Sequence, residues 1–487
     1  MRSSDRARWI ALYVLCAGML MIVLDATVVN VALPSIQADL HFSQSSLAWV
    51  VNAYLIAFGG LLLLSGRLGD LLGRRRVFLV GLGIFTVASL LCAIAQSQGM
   101  LIAARFVQGI GGAMTSAVIL GMIVTMFPEP REQAKAIGVY GFVASAGGSI
   151  GLLAGGALTQ AINWHWIFFI NLPIGVATGV MALRLIEGRP GIGLRAGADV
   201  PGALLLTTGL MLGVYAILQV GAHGWGSTST IGLGAVSIAL VAAFVVRQGR
   251  IPNPLMPLRV FRSRNVAVAN IVQALLVAGM FGMFFLGALY LQRVLGYDAL
   301  EVGLAFLPST IVMGTMSLRC SGPLSMRFGA RAVLIPSLVS IGAGLLLLAR
   351  TPVHGRYLVD LMPAMVLVGL GAGLGFPALV MLAMSGATDS DSGLASGLVN
   401  TSTQVGGAVG LAVLATLASE HSHSLLASGA SSAVALNAGY HVAYLCGAAL
   451  VAAALIVAVT MLRAKAAPAH GRAAAPAEPE PACAEAA

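Results

Sequence analysis

Gly66-Arg67-Leu68-Gly69-Asp70-Leu71-Leu72-Gly73-Arg74-Arg75 returns 256 residues later as Gly322-Pro323-Leu324-Ser325-Met326-Arg327-Phe328-Gly329-Ala330-Arg331. Gly66, Leu68, Gly73 and Arg75 recur at that one offset as Gly322, Leu324, Gly329 and Arg331. Both copies follow apolar runs of bilayer-crossing length, about 20 residues. A repeat of this spacing implies two halves of six spans with the loop in equivalent positions, an arrangement used by membrane transporters.

Working outward, the 487 residues are 58% hydrophobic and only 9% charged, against about 25% charged in soluble domains. Such a chain needs lipid as its solvent. Fourteen apolar runs are predicted to span: 10–34, 46–66, 76–97, 100–124, 135–158, 164–186, 200–220, 229–247, 265–292, 300–320, 331–350, 357–383, 394–418 and 440–462. The fold class is therefore an all-α polytopic membrane protein. Residues 1–9 form a cytoplasmic N-terminus, 10–186 and 251–463 the two six-helix halves, 187–250 two inserted linker helices, and 464–487 a disordered cytoplasmic tail rich in Ala, Pro and Glu. The arginines before the first run resemble a signal peptide, but that run is too long and holds Asp25, so it reads as an uncleaved span.

The net charge of +10 is spread over short clusters between runs, which argues against nucleic acid. With the N-terminus inside, 23 of the 27 Lys and Arg fall in inner segments, three (Arg293, Arg350, Arg356) in outer ones, and Arg105 within a span. That excess orients both termini to the cytoplasm of a bacterial inner membrane. Cys16, Cys92, Cys320, Cys446 and Cys483 show no metal-ligand or disulfide spacing. There is no phosphate-binding loop and no catalytic triad or zinc signature, so no enzyme, metal or cofactor is implied.

Asp25 lies well inside the first run, and an ionisable group at that depth is a functional-site hypothesis by default. Arg105 stands about five residues from the outer end of span 4, Asp25 about nine from that of span 1. At ~1.5 Å per residue their depths differ by about 6 Å, within reach of a long side chain. An arginine beside Asp25 favours its charged form and burial opposes it, a balance suited to proton coupling. The second half carries Phe281 and Met326 where the first has Asp25 and Asp70. The first half is thus expected to handle protons and gating, the second to supply an apolar wall.

The chain resembles the major facilitator superfamily, in its 14-span drug:proton antiporter branch. The loop matches that family's G-x-L-a-D-r-x-G-r-r signature at Gly66, Leu68, Asp70, Gly73, Arg74 and Arg75. Leu24, Asp25, Thr27, Val29, Asn30, Ala32, Leu33 and Pro34 match L-D-x-T-x-V-N-x-A-L-P. Trp164 to Gly175 matches W-R-W-x-F-x-I-N-x-P-I-G, with His165 in place of the arginine, and span 4 carries the Arg105-Gln108-Gly109 core. Gly147, Gly151, Gly155 and Gly156 match G-x-x-x-G-P-x-x-G-G, with Leu152 at the proline. The resemblance implies export of a drug or antibiotic driven by the proton gradient, with no cofactor.

The glycines of the loop and of span 5 suit close helix approach, and Asp70 suits pairing with an arginine or a helix N-terminus as an inner gate. Asn30, Asn52, Gln108, Asn270, Gln273, Asn400 and Gln404 are candidates to line a substrate cavity between halves. Trp49, Trp164 and Trp166 are expected in an aromatic belt. One mid-membrane carboxylate favours a neutral or weakly charged lipophilic substrate, handled by a monomer. Two other readings stay open: a proton symporter or importer of a small metabolite, which Leu152 keeps in play, and a non-transporting sensor or assembly partner.

Overall fold

The computed structural model describes residues 2–462 apart from 189, 192, 194–198, 253, 257, 259–262 and 385–391. The expected tail therefore lies outside the described residues. Fourteen long helices run through the rest: α1 (Arg2–Leu40), α2 (Gln44–Leu72), α3 (Arg74–Ala93), α4 (Gln98–Met126), α5 (Pro130–Ala161), α6 (Asn171–Leu185, after a single turn Trp166–Phe169), α7 (Val200–Leu218, followed by a single turn Val220–His223) and α8 (Thr228–Gln248). Then come α9 (Arg264–Arg293), α10 (Ala299–Thr315, continued by a π-helical turn Met316–Ser321 into Gly322–Phe328), α11 (Ala330–Leu348), α12 (Met362–Met384, entered by a π-helical turn Tyr357–Leu361), α13 (Ser392–Ala427) and α14 (Ser432–Met461). Among the described residues, thirteen stretches are long and apolar enough to cross a membrane, and α5 adds the shorter apolar stretch Ile150–Ala161. The helices outrun the apolar runs because polar ends continue the hydrogen-bonded spiral past the hydrocarbon.

Helix starts follow local chemistry. Ser43, Ser97 and Ser227 each accept from an N–H in the first turn of α2, α4 and α8. Asp298 and Glu301 form a reciprocal capping box at α10. Gly73 (φ 97°) and Gly329 (φ 88°) occupy the glycine-favouring region between α2 and α3 and between α10 and α11.

The repeat is visible in the packing. Within the first half α1 lies against α5 and α6, α2 against α4, and α3 against α4 and α6. Within the second half the same pairs recur as α9 with α13 and α14, α10 with α12, and α11 with α12 and α14. The two most extensive contacts between the halves are α2 with α13 and α5 with α10, which the repeat exchanges one for the other, and α1 also meets α9 and α10. Arg75 of α3 donates to the Leu183 carbonyl of α6 at 2.5 Å. Its counterpart Arg331 of α11 donates to the Val459 carbonyl of α14 at 2.6 Å.

The inserted α7 and α8 pack on each other, and α7 lies along both α2 and α13. Asp199, buried at the start of α7, accepts from Arg247 at 2.7 Å, from Gln248 at 2.6 Å and from the Gly202 N–H at 2.9 Å. Burial pushes this carboxyl up, but Arg247 and the two further donors outweigh it and hold it below the usual carboxylate range. The clasp between α7 and α8 therefore stays charged at neutral pH.

The glycine stripe of α5 divides its duties. A Cβ at Gly147 or Gly155 would press on Leu20 or Val28 at 3.0 and 2.7 Å, and one at Gly151 on Thr27, so these three face α1. A Cβ at Gly156 would meet the Ala299 carbonyl of α10 at 2.5 Å, across the halves. On the face opposite the loop, Gln160 donates to Asp298 at 2.8 Å and Gln292 to the Val31 carbonyl at 2.8 Å, closing the two halves on each other there.

Candidate functional site

Asp25 is fully buried, and the helices around it all belong to the first half. Its Oδ2 accepts from Arg105 Nη1 of α4 at 2.5 Å, and its Oδ1 accepts from Gln108 Nε2 at 2.7 Å and from Asn171 Nδ2 of α6 at 3.0 Å. Arg105 and Gln108 sit one turn apart on α4, so both reach the carboxylate from the same face. Arg105 is anchored further: Nε donates to the Val50 carbonyl of α2 at 2.9 Å and Nη1 to Gln108 Oε1 at 2.6 Å. Its guanidinium carbon lies 4.4 Å from the Tyr54 ring centroid and 5.7 Å from that of Phe168. Gln108 also donates to Ser89 Oγ of α3 at 2.8 Å. Five helices thus converge on one ion pair.

Such a pair survives in a dry interior only when every charge has partners, and the network supplies them. The depth estimate from the sequence put Asp25 and Arg105 within reach of a long side chain, and the contact is direct. Asn171, Ser89 and Tyr54 were not singled out in the sequence. Asn171 falls inside the Trp164–Gly175 motif, which was the available signal; an isolated serine or tyrosine in an apolar run gives none.

The repeated loop forms a second cluster. Arg74 donates to Asp70 at 3.2 Å and to the Gly121 carbonyl of α4 at 2.7 Å, while Arg75 holds α6. Asp70 and Arg74 are partly exposed, so their charges are screened. A Cβ at Gly69 would press on Val118 at 2.5 Å, but Gly66 faces open space. The expectation of close approach fails at Gly66, and Gly73 serves a backbone turn. A cavity of about 650 Å³ opens here, walled by Arg8, Arg67, Asp70, Arg74, Arg75 and Glu187 with Met122 and Met126 among its apolar lining.

The proposed cavity residues scatter. Gln108 belongs to the Asp25 network, inside one half. Asn270 accepts from Ser402 at 2.9 Å and Gln273 donates to Thr403 at 3.0 Å, tying α9 to α13 within the other half. Asn30 donates to the Ala26 carbonyl of its own helix at 3.2 Å. Gln404 packs over Gly59 at the α2–α13 seam, where a Cβ on the glycine would sit 2.6 Å from it. Asn52 is fully buried, and neither amide atom has a protein partner. Asn400 has its side chain outside the described residues. Trp166 is exposed as an aromatic belt requires, whereas Trp164 is buried and donates to Asp39 at 3.0 Å, because a partner for its N–H lies within the protein.

Residues 15–411 match the Major Facilitator Superfamily. The chain is 38% identical over 442 residues to the puromycin resistance protein pur8 of Streptomyces alboniger, covering 90% of this chain and 87% of that one. It is 40% identical over 412 residues to the cephamycin export protein CmcT of Amycolatopsis lactamdurans, covering 84% of each. The solved nucleoside transporter NupG superposes with a TM-score of 0.66 at 14% identity, covering 93% of this chain and all of that one, which speaks to fold alone. Two repeated halves of six helices with an inserted pair between them, one half built around a buried carboxylate, and a match over most of the sequence place this chain in the Major Facilitator Superfamily as a multi-pass membrane transporter.

Proposed function

We propose that the chain expels a lipophilic, antibiotic-like compound from a bacterium in exchange for entering protons, with Asp25 as the proton carrier. The observation that carries this reading is the Asp25–Arg105 pair, sealed from solvent in one half with hydrocarbon at the matching positions of the other. The names of the resistance and export relatives support the direction. The protein works as a monomer in the inner membrane with both termini in the cytoplasm, the side that most arginines favour. Gln160–Asp298 and Gln292–Val31 then close the outer face. They part when the halves rock, exposing the site alternately to each side. Asp70, Arg74 and Arg75 latch the inner face. Asn52, Gln404 and neighbouring residues of α2 and α13 are offered as substrate contacts at the seam.

The test is uptake of antibiotics and dyes into inverted vesicles under an imposed proton gradient, for the native chain and Asp25→Asn. Gradient-driven uptake lost in the variant while substrate still binds is the expected result. Unchanged uptake in the variant would remove Asp25 from the mechanism. Flux in the opposite sense would favour the symporter reading, and no flux at all would favour a sensor.

A further inference from the structure

Around Asp25 two buried polar atoms have no protein partner, the Tyr54 hydroxyl and the amide oxygen of Asn171, and the second belongs to a side chain hydrogen-bonded to the carboxylate. Both amide hydrogens of Asn171 are used, on Asp25 Oδ1 at 3.0 Å and on Ser89 Oγ at 3.4 Å. Its carbonyl oxygen Oδ1 is buried with no protein partner. Ser89 Oγ spends its own hydrogen on the Phe85 carbonyl at 2.8 Å, and both amide hydrogens of Gln108 are committed to Asp25 and Ser89. The amide oxygen of Asn171 is therefore an acceptor without a donor, next to a carboxylate. Stranded buried acceptors are uncommon and call for an explanation. The titratable or charged groups facing the carboxyl are Arg105 from α4, Tyr54 from α2 and Cys92 from α3. From α6 comes the amide of Asn171, and α5 brings Gly151 against Thr27.

We propose that Asn171 is the positioning residue for the protonated form of Asp25, its amide oxygen accepting the carboxyl hydrogen. The inference rests on Asp25 carrying a proton. A proton arriving on Oδ2 bonds to that oxygen and ends its ion pair with Arg105. Rotation about the Cβ–Cγ bond of Asp25 turns the new O–H to Asn171 Oδ1, while Asn171 Nδ2 keeps Asp25 Oδ1. The result is a two-bond pair of carboxylic acid and amide. Arg105 keeps its bonds to Gln108 Oε1 and the Val50 carbonyl and its place over the Tyr54 ring. One Nη1 hydrogen of Arg105 gives up its acceptor in this step, and the stranded amide oxygen of Asn171 gains a donor. Asn171 thereby supports both states, as a donor to the anion and as donor and acceptor to the acid. The handover of Arg105 makes protonation felt on α4 and α2.

The experiment is acid-minus-base infrared difference spectroscopy on the purified full chain, for the native protein, Asp25→Asn and Asn171→Leu. The native spectrum should show a carboxylic-acid C=O band that Asp25→Asn removes. It should also show a downward shift of an asparagine amide C=O, assigned in the unmutated chain by [4-¹³C]asparagine labelling. Asn171→Leu should abolish the amide shift, move the acid band upward as its O–H loses its acceptor, and lower gradient-driven uptake in vesicles at least tenfold. An isotope-silent native spectrum, or an acid band unmoved in Asn171→Leu, would overturn the role of Asn171. An acid band that survives Asp25→Asn would instead overturn Asp25 as the carrier. An isotope-silent labelled native chain overturns the role even if Asn171→Leu does not fold.

Discussion

The two halves share a scaffold and differ in what fills it. Counting 256 residues on from the polar cluster gives Phe281 for Asp25, Leu345 for Ser89, Leu361 for Arg105 and Ala364 for Gln108. Leu345, Leu361 and Ala364 are all buried, so hydrocarbon does in one half what an ion-pair network does in the other. The loops tell the same story more mildly. Gly73 and Gly329 turn the chain alike, and Arg75 and Arg331 brace the neighbouring helix alike, but Asp70 and Arg74 have Met326 and Ala330 as counterparts. Helix packing therefore does not require the charges. A buried ion pair is weak support for stability, and its presence in one half only fits the coupling role proposed for it.

That comparison breaks most sharply at Arg105. Arg105→Leu installs the residue of the other half and strands the Asp25 carboxylate. It should destabilise the protein by about 3–5 kcal/mol, seen as a fall in Tm in detergent. Asp25→Leu together with Arg105→Leu should restore most of the lost Tm and still abolish gradient-driven transport. A double variant that transports would show that the charges serve the scaffold after all.

The turns should respond equally in both halves. Alanine at Gly73 or Gly329 is forced into backbone conformations that cost about 1–3 kcal/mol. Similar Tm losses for the two variants are expected; a loss confined to Gly73→Ala would mean that the symmetry of the loops is not mechanical.

The smallest stability effect belongs to the latch. Asp70 and Arg74 are partly exposed, and such pairs contribute about 0–1 kcal/mol. Asp70→Asn should leave Tm nearly unchanged yet slow initial transport rates, whereas Met326→Asp should change neither. Equal effects on rate from both would erase the distinction between the loops.

Much of this was legible beforehand because lipid imposes it. Every backbone group in hydrocarbon must be bonded internally, so apolar length alone marks helices, and fourteen runs became fourteen helices. The 256-residue offset exposed the repeat, and a carboxylate in an apolar run advertised itself. Other features were hidden. Gly147, Gly151 and Gly155 looked equivalent to Gly156, but only packing shows that the first three meet α1 and the last meets α10. Gln108 read as a cavity residue until α3, α4 and α6 closed around it. Trp164 read as an interfacial anchor until Asp39 proved to lie within reach of its indole N–H.

By itself the sequence determined which segments are helical, how they repeat, and which half carries charge, since these depend on composition and spacing along one chain. Only the tertiary structure decided that Asp25 lies sealed within a single half and that Asn171 and Ser89 complete its shell. It alone decided that α7, the first helix of the inserted pair, runs along the α2–α13 seam. These are matters of which faces meet, and a helix presents a face to its neighbours only once the others are in place.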